Sequence, residues 1–327
     1  MGYNWRIEWF GIHDSNALRA STMLRGFLRF LGFAVVGLWF VGCNGDTNSA
    51  ARSFQEQIVQ ARKMADLELR AKQLIRIGYQ QGKAKDRAGS EDTFRLARKD
   101  CELIDKPEAR AGALALMADA HARLGNRAEA RWAIRAALAA ADKVENAESK
   151  VRALARIARP QGAVGDKKDA VATLKSAEKL ADKLDNVQGK ILSLCAIAKA
   201  YWKIGQKDSS DRVLNVAMDF AASVDDPKKR SLAIAEVAAQ QSDLGKRAAA
   251  KKTFESALQS ARKIENRYFR AYTMGELAEK LSKAGFYAKS HEVLNEAELV
   301  AEEISAADMQ RQALLKIRRL MGELPKG

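Results

Sequence analysis

Apolar residues return at spacings of three and four along most of the chain, and the stripes they make return every 40 residues. Between Asn186 and Asp225, Leu194, Ile197, Ala198, Tyr201 and Ile204 form one apolar helical face that ends at Gly205. Leu214, Ala217, Ala221 and Val224 form a second face on a return helix. Gly205 falls where the chain must turn and a side chain would cost energy. Asn186, like Asn146, Asn266 and Asp226, stands where the following helix needs an N-terminal cap.

The period holds without a slip. Gly125, Gly165, Gly205, Gly245 and Gly285 share one column, and Lys85 takes the same slot one period earlier. Twelve residues on lie Ala97, Ala137, Ala177, Ala217, Ala257 and Ala297, and sixteen on lie Cys101, Ala141, Ala181, Ala221, Ala261 and Ala301. Ile104, Val144, Leu184, Val224, Ile264 and Ile304 follow three residues later. A repeat of this length predicts a stacked solenoid, because no single helix pair can bury its own stripe. The alanine columns predict close backbone approach.

Within one repeat the pattern resembles tetratricopeptide repeats. Ile197, Ala198, Tyr201, Gly205, Leu214 and Ala217 match that family's sequence of bulky, small, aromatic, glycine, bulky and alanine positions, with Ser210 in its first alanine slot. Met117, Ala118, Gly125, Ala130, Ile134 and Ala137 match again, with His121 in the aromatic slot. The period is longer than the family's, the extra residues lengthen the second helix, and the closing proline is missing. The resemblance implies an all-α, right-handed αα-solenoid of about six TPR-like helix pairs, with a capping half-repeat at each end. The expected divisions are an extension over 1–22, a signal peptide over 23–42, a linker over 43–50, a capping helix over 51–65, six repeats over 66–304 and a second cap over 305–327. Phe54, Ile58, Ala61 and Met64 place the first cap on the return-helix columns; Leu314, Ile317 and Leu324 place the last on the first-helix columns.

The formal charge of +15 turns attention to anionic partners. Residues 1–43 hold four arginines and two acids, so the remainder is nearly as basic. A solvated, lysine-rich surface explains the same charge without a partner.

Arg25 and Arg29 precede an apolar run from Phe30 to Gly42, too short to span a bilayer and suited to a signal-peptide core. This segment resembles a bacterial lipoprotein signal, with Val41, Gly42 and Cys43 at the cleavage position and Phe40 where leucine is usual. The resemblance implies export, a lipid on Cys43 and a protein held on the periplasmic or surface side of a bacterial membrane. An ordinary secretory signal or a short uncleaved anchor are the alternatives. Met23 is the expected start, and nucleic acid is not an expected partner after export.

No catalytic or cofactor-binding constellation is present in the sequence. His13, His121 and His291 have no metal-ligand spacing, and Cys101 and Cys195 fill core columns too far apart for a disulfide. The array reads as a non-catalytic scaffold binding a protein or peptide, acidic in character, with no cofactor and no metal. In the resembling family the concave groove is lined by non-core positions of the first helices. Carried across, these are Arg76, Arg123, Arg152, Arg156, Arg159, Lys199, Trp202 and Lys203. Trp202 reads either as an exposed anchor or as half-buried packing. The later repeats put Glu236, Asp243, Glu276 and Glu279 in the groove, which predicts a charge-polarised partner. Pro160, inside a first helix, predicts a kink beside the arginines.

Two further basic columns recur. Arg70, Arg110, Lys150, Lys190, Arg230 and Arg270 follow acidic positions, the last five by five residues from Asp105, Glu145, Asp185, Asp225 and Glu265, and predict an ion-pair ladder. Arg87, Arg127, Lys167, Lys207 and Arg247 form a basic edge without a matching acidic column. The alternative function that edge suggests is an envelope-organising protein holding anionic polymer or lipid headgroups by charge.

Overall fold

A computed structural model describes residues 47–325, so the expectations for the signal segment and Cys43 lie outside the described residues. The described chain is helical, with no strand among the described residues. Helix α1 (Thr47–Arg62) precedes six pairs: α2 (Leu67–Lys83) with α3 (Arg87–Leu103), α4 (Pro107–Arg123) with α5 (Arg127–Asp142), and α6 (Ala147–Ala163) with α7 (Lys167–Asp182). Next come α8 (Val187–Lys203) with α9 (Lys207–Ala222), α10 (Pro227–Asp243) with α11 (Arg247–Arg262), and α12 (Arg267–Lys283) with α13 (Tyr287–Glu302). Helix α14 (Ala307–Glu323) closes the array. This is a TPR-like αα-solenoid.

Local chemistry sets the boundaries. Asn146, Asn186, Asp226 and Asn266 each accept from the backbone N–H three residues on, at 2.7–3.2 Å, capping α6, α8, α10 and α12. Each tight turn needs one residue with φ positive: Gly125, Gly165, Gly205, Gly245 and Gly285 supply it, and Lys85 adopts φ 66° in the first repeat. Pro160 does not end α6, which runs to Ala163 with the same 17 residues as the other first helices.

The alanine columns are fully buried, Ala97, Ala137, Ala177, Ala217, Ala257 and Ala297 all at 0% exposure. Cys101 and Cys195 are buried free thiols, and burial pushes each up to about 12. They fill space, as their columns predict. Of the α1 stripe, Ile58 and Ala61 are buried, while Met64 is exposed.

Each first helix packs on the first helix before and after it, and each second helix packs on its partner and on the next first helix. Neighbouring second helices make no comparable contact. Close inner packing with separated outer helices curves the array, with the first helices inside.

The expected ion-pair ladder is not what the Arg70 column forms. Arg110 donates to the Ile104 carbonyl at 2.7 Å, Arg230 to Val224 at 2.9 Å and Arg270 to Ile264 at 2.7 Å, while Lys150 and Lys190 reach the carbonyls of Asp142 and Asp182 at 3.0 and 2.9 Å. Among the described residues, only Arg70 of this column pairs with a carboxylate, Asp100, through two 2.8 Å bonds. The cations serve orphan carbonyls at the ends of the preceding second helices, where the dipole also favours positive charge.

Candidate binding groove on the first helices

Side chains three and four apart on each first helix form three columns along the inner face. One runs Lys72, Gly112, Arg152, Leu192, Leu232, Tyr272; the next runs Arg76, Leu116, Arg156, Ala196, Glu236, Glu276; the third runs Tyr79, Asp119, Arg159, Lys199, Ala239, Glu279. Arg76, Arg152 and Arg156 are exposed.

The predicted groove cations divide into two kinds. Arg123 and Arg159 both hold Asp119, at 2.8 and 2.7 Å, and Lys199 holds Asp243 at 2.9 Å. These charges are already answered within the protein. Arg76, Arg156 and Lys203 have no carboxylate partner among the described residues, and Arg152 donates only to the Ser149 hydroxyl at 2.9 Å. Gly112 leaves room for the Arg156 guanidinium: a Cβ there would lie 3.4 Å from Nη1.

The acidic half of the groove is likewise neutralised from within. Glu236 pairs with Lys280, Glu276 with Lys316 at 3.8 Å, and Glu279 with Lys283 at 2.6 Å. With Asp243 held by Lys199, the expected polarity reduces to a basic first half and a charge-balanced second half. In that second half a cavity of about 740 Å³ opens, lined by Val187, Ile191, Leu232, Lys229, Glu236 and Lys280 among others. Leu192, next in sequence to the lining Ile191, is exposed, and Tyr272 lies under the Lys316 ammonium, 3.0 Å from the ring centre. Sequence reasoning missed Leu192, Leu232 and Tyr272; their alignment at 40-residue intervals was the available signal.

Trp202 does not join the arginines. It lies three residues from Lys199, rotated off the inner stripe, in a column otherwise held by Gly82, Ala122, Gly162, Ser242 and Ser282. That column meets the next repeat: a Cβ on Gly162 would fall 2.6 Å from Ile204. Trp202 is half-buried there, with Lys207 and Lys246 at 5.2 and 5.0 Å from its ring. It is a packed wedge between repeats with cations on its face.

The basic edge is exposed throughout, at Arg87, Arg127, Lys167, Lys207 and Arg247, each the first residue of a second helix. Of these, Arg247 donates to the Gly285 carbonyl at 2.7 Å and stacks 4.5 Å from the Phe286 ring centre. Cations at helix N-termini oppose the macrodipole, so the helices do not gain stability from this column. His291 meets the Pro325 carbonyl at 2.9 Å, and among the described residues no acidic, histidine and cysteine cluster could hold a metal. No described helix is long and apolar enough to cross a membrane.

No known family profile matches the chain, and no curated protein matches it. Among solved structures it is similar to Ton1535 from Thermococcus onnurineus NA1, at 12% identity and a TM-score of 0.42, over 82% of this chain and 96% of that one. It is similar to the TPR-like repeats of a Podospora anserina kinesin light chain, at 18% identity and TM-score 0.35, over 67% of this chain and 98% of that one. The third is Rap protein complexed with competence and sporulation factor, at 16% identity and TM-score 0.34, over 83% of this chain and 79% of that one.

Proposed function

We propose that the protein is a non-catalytic interaction scaffold that takes a segment of another protein along its first-helix groove. The observation that carries this reading is the set of Arg76, Arg152 and Arg156. All three are exposed on the inner face without a carboxylate, in an array that pairs most other groove charges internally. The segment that complements this face is acidic where it meets the arginines and apolar where it meets Leu192, Leu232 and Tyr272. A lipid on Cys43 would hold the scaffold at a bacterial membrane, on the periplasmic or surface side.

The test is capture from solubilised envelope by the full chain and by the Arg152→Glu, Arg156→Glu variant. A protein retained at ~0.2 M salt by the first and lost by the second supports the groove. Equal recovery of salt-labile anionic material by both overturns it. That outcome supports the second reading, an organiser of anionic polymer or headgroups, which the unpaired edge from Arg87 to Lys207 favours. Incorporation of labelled palmitate that is abolished by Cys43→Ser tests the anchor.

A further inference from the structure

Neighbouring second helices do not pack backbone to backbone, so side chains line the cleft between one and the next. In the cleft between α7 and α9, the Tyr201 hydroxyl donates to Glu178 at 2.6 Å, and Arg212 holds both oxygens of that carboxylate at 2.9 and 2.8 Å. A buried polar tip on a first helix is thus satisfied by a carboxylate, which a guanidinium neutralises.

Eighty residues earlier, the same three positions hold His121, Arg98 and Trp132. The carboxylate position is now a cation, and the guanidinium position is an indole. The Arg98 guanidinium carbon lies over Trp132, 3.6 Å from the ring centre, with Nε donating to Glu102 at 3.0 Å. His121 is only 6% exposed, its ring centre 4.1 Å from that of Phe94, and its Nδ1 has no partner among the described residues. The polar tip survives, but the carboxylate that answers it in the sister cleft does not.

The space is built to receive one. A cavity of about 590 Å³ lies between α3 and α5, with Phe94, Met117, His121 and Trp132 along its wall. The first turn of α5, from Asn126 through Arg127 and Ala128, closes one side. Asn126 makes no side-chain cap bond; its own N–H and that of Arg127 are taken by the His121 and Gly125 carbonyls, at 2.9 Å each, so the N–H groups of Ala128 and Glu129 are the ones left for an anion. Arg95 also lines the cavity but is taken up by Asp92 at 2.5 Å, while Glu91 and Glu129 lie among the lining residues and disfavour a ligand with several negative charges.

We propose that this cleft binds a single carboxylate carried on a small apolar or aromatic body. The carboxylate takes the place that Glu178 holds in the sister cleft, between His121, Arg98 and the first turn of α5. The apolar body rests on Phe94, Met117 and Trp132. Burial lowers the His121 pKa to about 4, so at neutral pH the ring donates one N–H without adding charge. A free organic acid and the C-terminus of a peptide present the same group.

The experiment follows the ring signals of His13, His121 and His291 in the full chain, labelled with ¹⁵N-histidine, during titration with benzoate. The expected result is a saturating shift of His121 alone, with no response to benzamide. A peptide ending in a free phenylalanine carboxylate, compared with its amide, distinguishes the source. Free-acid binding at least tenfold tighter than benzoate, with the amide inert, assigns a chain end; weaker binding assigns a free acid. Arg98→Glu supplies the internal carboxylate and should weaken benzoate at least tenfold. The combined Arg98→Glu, His121→Tyr, Trp132→Arg variant transplants the sister triad, and should fold and be blind to benzoate. Should Arg98→Glu alone lose its helical signal, the triple variant carries the comparison. Any of three results overturns the proposal: no His121 shift by about 10 mM, a range that reaches weak, millimolar sites; an equal shift with benzamide; or undiminished benzoate affinity in the folded variant.

Discussion

Lys85 occupies a conformation that its five counterparts give to glycine, and it does so at φ 66°. A left-handed residue with a Cβ costs roughly 1–2 kcal/mol. Lys85→Gly should therefore stabilise the array by about 1 kcal/mol, part of the gain returning as unfolded-chain entropy. Urea unfolding followed by circular dichroism checks the direction, and a loss of stability would contradict it. His121 makes the opposite kind of contribution. Its folded pKa, about 4, lies below the ordinary value of 6.5, and burial is the cause. The unfolded chain binds the proton more readily, so stability is complete above pH 6.5 and drains away as the pH falls toward 4. The full loss is on the order of 3 kcal/mol. His121→Gln should flatten that part of the pH profile, measured as urea midpoints between pH 7 and pH 4. Which charges pair was not readable from columns within one repeat. The pairs that join one repeat to the next stand near one period apart, offset by four to six residues: Arg131 with Asp166, Arg212 with Glu178, Lys199 with Asp243. A search at spacings of 34 to 36 and 44 would have found them.

The helices were legible because their stripes, caps and turns all repeat in one frame, and each of these is a local property of the sequence. The alanines of the second helices are where that frame is tightest. Ala217 is fully buried in a column that admits no larger side chain in any repeat. Ala217→Leu should cost roughly 1–3 kcal/mol by overpacking and lower the melting temperature; an unchanged melting temperature would remove the packing role. The Arg70 column was legible as structural but assigned the wrong partner. Acids five residues upstream suggested pairs, whereas the end of a helix exposes carbonyls that have no other donor. Trp202 takes the second of its two readings, half-buried packing. Spacing from Lys199 and Lys203 puts it near the groove, but only packing reveals that its column is the one meeting the next repeat, where Gly162 leaves no room for a Cβ.

Across the whole array each repeat touches only its neighbours, so the length should be adjustable in steps of one period. Deleting 207–246 joins Gln206 to Arg247 and recreates the turn sequence of the other repeats. The shortened chain should keep the same helical signal per residue and unfold cooperatively at a lower midpoint. A large fall in helicity would show that repeats four and five depend on each other beyond simple stacking. The contrast between inner and outer layers has a mechanical meaning as well. First helices in direct contact form a spine that resists stretching, and second helices that stand apart leave its outer edge free to open and close. Bending then becomes a matter of what crosses the outer gaps. Arg131 with Asp166, Arg212 with Glu178, Asp211 with Lys246 and Arg262 with Glu296 clamp four of them with paired charges, whereas Arg98 on Trp132 bridges the first by stacking. The spring is unevenly wound, softest toward its first repeats, and a molecule seated in that soft gap would stiffen it.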